Sequence, residues 1–218
     1  MKYIFLALFL LFSVLHLIAS FLDNQKYRRM TMPFILILIL LYYLFSAKKI
    51  DPLLVTALLT SWLGDVLLIP KGTKWFVSGG ASFMIAHFCF IILFVLRIDF
   101  SAVSAVPAVC AAAVYLVLIA AVFKLLAPHI KEKLLCGAMI YYMLCNGAMN
   151  VFSFMLLLSK PCAASALAFL GAVCFFVSDA LLFYKDYYPK KLWRNFFPVL
   201  LTYIIAEFSI TQSMLWLS

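Results

Sequence analysis

The sequence predicts an all-α membrane protein, a single integral membrane domain over residues 1–218 built as a bundle of eight transmembrane helices. Of its 218 residues, 68% are hydrophobic and 11% are charged, whereas a soluble domain carries about 25% charged residues. Every polar gap between apolar segments is short. The excess of 17 Lys+Arg over 8 Asp+Glu lies between these segments. It therefore indicates membrane topology and contacts with membrane lipids, and not nucleic-acid binding.

Eight segments are apolar over the roughly 17–25 residues that a spanning helix needs. They cover residues 3–22, 31–47, 52–69, 75–96, 101–126, 134–158, 162–183 and 196–217, and the second is the shortest. The connections that separate them in chain order are 23–30, 48–51, 70–74, 97–100, 124–133, 159–161 and 184–195. The first segment is similar to a signal peptide, but it is too long and Lys26, Arg28 and Arg29 follow it directly, so we expect it to be retained.

The basic residues predict the orientation of the bundle. Connections 23–30, 70–74, 124–133 and 184–195 hold 12 of the 17 Lys+Arg, and positively charged connections stay in the cytoplasm. Both termini are therefore predicted to be extracytoplasmic. A weak internal similarity, SWLGDVLL in the third segment and FFVSDALL in the seventh, is compatible with a 4+4 parallel repeat. Coincidence is the alternative explanation of so short a match.

Three acidic residues, Asp65, Asp179 and Glu207, lie deep in apolar segments with no basic residue at the same depth. An ionisable group inside a bilayer costs several kcal/mol and is a candidate functional residue. At 1.5 Å per residue, the two aspartates lie about 9 Å inside the cytoplasmic edge. His87, Glu207 and Asn146 lie deeper, about 20 Å from the same edge. The sequence thus predicts two polar layers.

Helical spacing places these polar groups on faces that cannot contact lipid without partners. The shared faces are Ser61 and Asp65 on the third helix, Phe76, Gly80, Phe83 and His87 on the fourth, Tyr142, Asn146, Asn150 and Ser153 on the sixth, and Tyr203 and Glu207 on the eighth. We expect them to converge on an interior cavity. Simpler interpretations stay open, since asparagine and serine also join helices and Gly64, Gly80 and Gly171 allow close helix packing.

The pair Asp65 and Asp179 indicates acid/base chemistry. Burial without a cation favours the neutral form of a carboxyl, and a second carboxyl nearby favours it further. A protonated acid beside an ionised base is the division that glycosidases use. Basic residues on the cytoplasmic rim are candidates for binding a phosphate headgroup: Arg28, Arg29, Lys71, Lys74, Lys190, Lys191 and Arg194. Together these features indicate a lysophospholipid substrate.

Other membrane chemistries lack their motifs in this sequence. It contains no HExxH or GxSxG, its three histidines are scattered, and its six cysteines form no CxxC pair. We therefore expect neither a metal nor another cofactor.

The sequence resembles the YhhN-type lysoplasmalogenase family of polytopic membrane proteins. The resemblance spans about residues 60–210 and is carried by Gly64-Asp65, by Phe76, Gly80, Phe83 and His87, by Gly171-Ala172 and Ser178-Asp179, and by Tyr203, in that order. Two positions depart from the family pattern. Glu207 stands where the family often has glutamine, and Met32 replaces the lysine that usually precedes Pro33. A required carboxylate and a headgroup-binding lysine are therefore not carried over to these positions.

The resemblance implies hydrolysis of the vinyl ether of lysoplasmalogens to a fatty aldehyde and glycerophosphoethanolamine or glycerophosphocholine. It also implies a bacterial inner membrane, or the endoplasmic reticulum of a eukaryote. The reaction needs a general acid, a carboxylate that stabilises an oxocarbenium, and a base that orients water. We expect Asp65 and Asp179 to share these roles in either order. The residues expected to line or assist the site are His87, Glu207, Ser178, Tyr203 and Asn146.

Two other classes of protein stay open. Proton-coupled transporters also use buried carboxyls and often contain repeats around a midplane site, although the carboxyls here cluster near one face. A lipid-binding or scaffold protein without catalysis is the third class. Substrate turnover separates the enzyme from both, and proton-coupled flux identifies the transporter.

Overall fold

The computed structural model describes residues 1–190, 192–193 and 195–217. Within these ranges the regular structure is entirely helical, as predicted, with eight α-helices and one short 3-10 helix at Ala127–His129. The α-helices are α1 (Lys2–Phe21), α2 (Gln25–Ser46), α3 (Pro52–Leu67), α4 (Thr73–Val95), α5 (Ala105–Leu126), α6 (Lys133–Ser159), α7 (Ala163–Tyr187) and α8 (Phe197–Trp216).

Seven helices in the described ranges are long and apolar enough to cross a membrane, which is consistent with an integral membrane protein. The remaining helix, α3, has 16 residues and rises about 24 Å, against a hydrocarbon core of about 30 Å. The prediction that the second segment is the shortest was wrong, since α2 has 22 residues. The number of crossings, the side of the termini and the parallel repeat stay predictions.

Three helix boundaries differ by four or more residues from those predicted, and at two of them a local hydrogen bond extends or delays the helix. α2 begins at Gln25, before residue 31, since the Asn24 side chain accepts a hydrogen bond from the Tyr27 amide at 3.3 Å. α5 begins at Ala105, after residue 101, because the Asp99 carboxylate holds a turn through the Ser101 amide at 3.0 Å. α7 continues to Tyr187, beyond residue 183. Arg28 and Arg29 therefore lie on a helix and not in a connection.

Helices that follow one another in the sequence pack together except for α4 and α5, and contacts of α4 with α6 and of α1 and α2 with α8 close the bundle. Two glycines allow close approach. A Cβ on Gly171 of α7 would lie 2.9 Å from the Ala206 carbonyl oxygen of α8, and one on Gly64 of α3 would lie 2.6 Å from the Phe83 ring of α4. These contacts fix α7 against α8 and α3 against α4, the helix pairs to which the two aspartates belong.

Gly80 does not have the packing role that was predicted for it. A Cβ at this position would meet no atom within 4 Å, because this face of α4 borders a cavity. α5 is also distinct, since Ile119 and Leu126 are its only buried residues. Most of α5 is therefore exposed on the outside of the bundle.

Candidate active site

A cavity of about 460 Å³ opens between helix ends on the basic side of the bundle. Its volume lies within the range of about 300–1,000 Å³ that is typical of small-molecule sites. The residues at its mouth come from the start of α2, the α3–α4 connection and the α7–α8 region: Gln25, Arg28, Arg29, Lys71, Gly72, Asp186 and Phe196. Gly72 turns the chain there with φ +124°, a conformation that other residues rarely adopt.

Asp65 lies on the cavity wall near the end of α3, with 2% of its surface exposed. The hydroxyl of Tyr203, on α8, donates a hydrogen bond to Asp65 Oδ2 at 3.0 Å. Tyr203 lines the same cavity. This bond joins α3 to α8 and fixes the orientation of the carboxyl.

Asp179, on α7, also lines the cavity and is 6% exposed. Its Oδ2 accepts two hydrogen bonds from α6, one from the Tyr142 hydroxyl at 2.9 Å and one from Asn146 Nδ2 at 2.6 Å. His87 Nε2 of α4 lies 3.9 Å from the same oxygen, which is too far for a hydrogen bond. Three helices thus surround one carboxyl.

Ser178 lines the cavity beside Asp179. Its hydroxyl donates to the Val199 carbonyl oxygen at 2.9 Å. Because Val199 belongs to α8, this bond holds the functional end of α7 against α8.

An aromatic cluster lies on the cavity wall around Phe175 of α7. Its ring centroid is 5.6 Å from that of Tyr203, 6.3 Å from Phe83 and 4.7 Å from His87. Tyr142 is 5.2 Å from His87 by the same measure. The cluster connects the surroundings of Asp65 to those of Asp179 and presents apolar ring surface to the cavity.

His87, Asn146 and Glu207 are fully buried and lie behind the cavity wall, not on it. Asn146 nevertheless contacts Asp179 directly. Neither carboxyl oxygen of Glu207 accepts a hydrogen bond from the described residues, and Ser61 faces it without hydrogen-bonding geometry. Of the three buried carboxyls Asp65, Asp179 and Glu207, the two aspartates therefore reach the cavity and Glu207 does not.

The predicted headgroup residues that the structure describes separate into two sets. Arg28, Arg29 and Lys71 line the mouth of the cavity. Lys74 and Lys190 do not line it, because both side chains are exposed on the outer surface. Arg194 and Lys191 lie outside the described residues.

A cluster of charged and aromatic groups at the mouth was predicted from the sequence only at Arg28. The Arg28 guanidinium carbon lies 4.2 Å from the Phe196 ring centroid, and Lys185 Nζ lies 4.4 Å from it. Lys185 was assigned to a connection, but it lies on α7 and is 6% exposed. Phe196 and Asp186 carry no periodic signal. Tyr142, in contrast, was placed on the polar face of the sixth helix by its spacing of four residues from Asn146.

The helical bundle is consistent with a polytopic membrane protein, and its cavity is lined by two buried aspartates. A family profile described as the YhhN family matches residues 27–214. The chain therefore belongs to the YhhN family, which confirms the resemblance found in the sequence. The matched range includes both aspartates and their hydrogen-bond donors. No curated protein and no solved structure matches the chain.

Proposed function

We propose that the protein is a lysoplasmalogenase, which hydrolyses the vinyl ether of lysoplasmalogens without a cofactor. One observation carries the proposal: two buried aspartates, each held by a tyrosine hydroxyl, line one cavity with a basic mouth. Membership of the YhhN family is consistent with a hydrolase.

The cavity suits an amphiphile with an anionic headgroup. Arg28, Arg29 and Lys71 at its mouth provide charge-assisted hydrogen bonds for a phosphate. Farther in, Phe83 and Phe175 offer apolar surface to an alkenyl chain. The vinyl ether joins the polar and apolar parts of the substrate, so we place it between these two regions, beside the aspartates.

The reaction starts when one aspartic acid transfers its proton to the vinyl carbon that is distal to the ether oxygen. The ether oxygen shares a lone pair with the adjacent carbon, and an oxocarbenium forms. The second aspartate, ionised, stabilises this cation and takes a proton from the water that attacks the carbon. The resulting hemiacetal then breaks its carbon–oxygen bond. The glycerol oxygen takes the electron pair of this bond and receives the proton that the second aspartate took from water, while the hemiacetal hydroxyl returns its proton to the first aspartate and its carbon becomes the aldehyde.

Aldehyde release from lysoplasmenylethanolamine tests the proposal. We expect activity in the purified protein and a loss of about 10²- to 10⁴-fold in Asp65→Asn and in Asp179→Asn, the range of general acid/base catalysis. An asparagine oxygen still accepts the tyrosine hydrogen bond, so both variants should keep the fold. Asp99→Asn is the matched control, because Asp99 lies in the 96–104 connection and does not line the cavity.

Full activity in both aspartate variants would exclude the acid/base assignment. No aldehyde from folded wild-type protein with either the ethanolamine or the choline headgroup would reject the enzyme. Proton-coupled flux in liposomes would then favour the transporter, the alternative function for the same carboxyls.

A further inference from the structure

A chain of side-chain hydrogen bonds leads from the peripheral helix α5 to Asp179. The Tyr115 hydroxyl of α5 donates to Asn150 Oδ1 at 2.8 Å. Asn150 Nδ2 donates to Asn146 Oδ1 at 3.0 Å. Asn146 Nδ2 donates to Asp179 Oδ2 at 2.6 Å. Both asparagines are fully buried.

Every donor in this chain points towards Asp179. A side-chain amide has one accepting oxygen and one donating nitrogen. Because Tyr115 occupies the oxygen of Asn150, the nitrogen of Asn150 faces Asn146, where it also reaches the backbone oxygen at 3.0 Å. The oxygen of Asn146 is occupied in turn, which directs its nitrogen to Asp179. Reversing either amide would break the chain.

Holding helices together does not account for the middle bond. Asn146 and Asn150 both belong to α6, so their mutual hydrogen bond joins no two helices. It does connect the α5–α6 bond of Tyr115 to the α6–α7 bond at Asp179. In a medium of low dielectric constant, hydrogen bonds in such a chain polarise one another. The bond between Asn150 and Asn146 therefore strengthens the hydrogen bond that Asn146 donates to Asp179.

The two aspartates differ in the donors that meet them. Asp179 Oδ2 accepts from Asn146 and from Tyr142, whereas Asp65 Oδ2 accepts from Tyr203 alone among the described side chains. Hydrogen bonds that are donated to a carboxylate stabilise its charged form. The ionised form of Asp179, which accepts more hydrogen bonds, is therefore more stabilised than that of Asp65.

We infer that Tyr115, Asn150 and Asn146 act as a positioning chain that holds Asp179 as the ionised carboxylate, which leaves Asp65 as the proton donor. The catalytic roles in this inference rest on the proposed function, whereas the charge assignment does not. Ionisable side chains on three neighbouring helices also face Asp179: His87 of α4, Tyr142 of α6 and Glu207 of α8. The variants that test the chain leave all three in place.

Tyr115→Phe removes the first donor and keeps the ring that packs on Phe176 at 5.1 Å. We expect kcat for aldehyde release to fall roughly tenfold with KM unchanged. The reason is that the hydrogen bond from Asn146 to the charged Asp179 becomes weaker. The acidic limb of the kcat profile should move to higher pH, because Asp179 then holds its charge less well. Asn150→Leu should change kcat and its pH profile in the same directions and by larger amounts.

Tyr42→Phe is the matched control. It also removes a tyrosine hydroxyl that donates to a side-chain amide, Gln212 Oε1 at 2.7 Å, but this bond joins α2 to α8 away from Asp179. We expect its kcat and pH profile to equal those of the wild type. Unchanged kinetics in both Tyr115→Phe and Asn150→Leu would overturn the positioning chain.

Infrared spectra without substrate test the charge assignment separately from turnover. The carbonyl band of protonated carboxyl groups should lose intensity in Asp65→Asn and not in Asp179→Asn at neutral pH. The opposite result would overturn the assignment. If wild-type protein releases no aldehyde but the infrared result holds, the proposed function fails and the charge assignment stands.

Discussion

Asp65 and Asp179 show how two similar residues acquire different surroundings. Both are buried and both contact a tyrosine hydroxyl. Asp179 has an additional donor in Asn146, 2.6 Å away. The difference lies in this neighbour and not in the aspartates themselves. Under the proposed function, replacing either aspartate should impair the same reaction, so variants of the neighbours distinguish the acid from the base better in turnover.

Gly80 offers a way to close the cavity without disturbing the bundle. It lines the cavity, and a Cβ there would meet no atom within 4 Å. We expect Gly80→Leu to fill part of the space that the alkenyl chain needs and to lower kcat/KM by at least about tenfold, while the unfolding temperature stays near that of the wild type. Aldehyde release and thermal unfolding in detergent measure the two effects.

Gly137 provides the control for this variant. It lies on α6, also has no atom within 4 Å of a built Cβ, and does not line the cavity. Gly137→Leu should therefore keep full activity. Equal activity of the Gly80 and Gly137 variants would mean that the substrate does not occupy the space beside Gly80.

The sequence alone identifies the buried carboxyls but not what holds them. Asp65, Asp179 and Glu207 are conspicuous because charge is rare in apolar segments. Their partners are separated from them along the chain, by 138 residues for Asp65 and Tyr203 and by 37 for Asp179 and Tyr142. Periodicity places a residue on a helix face, but it does not say which helix that face meets. For this reason Glu207 was expected to line or assist the site beside Asp65, although only Asp65 of these two reaches the cavity.

At the scale of helices, the close contact between α7 and α8 is the one most sensitive to side-chain size. A Cβ on Gly171 would lie 2.9 Å from the Ala206 oxygen and 3.1 Å from the Ile210 nitrogen, both backbone atoms of α8. Backbone atoms cannot rotate away, so Gly171→Ala must separate the helices. We expect a loss of stability of about 1–3 kcal/mol, as in overpacked cores, measured as a lower unfolding temperature.

Gly137→Ala adds the same methyl group on a helix where it meets no atom within 4 Å. Its unfolding temperature should not fall, so any loss in the Gly171 variant is due to the α7–α8 contact. A Gly171 variant as stable as the wild type would show that this contact is looser than the distances indicate.

Helix existence was easier to predict than helix ends. Long apolar stretches determine where a helix forms in a membrane, because backbone groups in lipid must bond within the segment. The ends depend on local capping, such as the Asn24 side chain before α2. This detail matters for the site, because the earlier start of α2 places Arg28 on a helix, where it reaches the ring of Phe196 at the cavity mouth.

For the whole molecule, the orientation in the membrane decides from which side a substrate would reach the cavity. The aspartates are reached from the side of the 23–30, 70–74 and 184–195 connections, which the distribution of basic residues assigns to the cytoplasm. A lysophospholipid would then enter from the cytoplasmic leaflet. The water-soluble product would be released on the same side.

This orientation depends on α3, whose 16 residues are few for a crossing. Leu68 and Ile69 extend its apolar length, and the other helices can thin the bilayer around it. We expect α3 to cross, which gives eight crossings and places both ends of the chain outside the cytoplasm. Alkaline phosphatase fused to the C-terminal end should then be active, and a fluorescent protein fused there should be dark. Ending the chain before α8 should reverse both signals.

An epitope tag at the N-terminal end completes the test, because it separates the two ways in which the prediction can fail. With eight crossings, antibody should reach this tag in intact spheroplasts. If the C-terminal fluorescent protein lights up while the tag stays accessible, the number of crossings is odd, and α3 is the helix that fails to cross. If both ends are cytoplasmic, eight crossings remain but the orientation is inverted. The cavity would then open to the outer leaflet, and the substrate would have to reach it from that side.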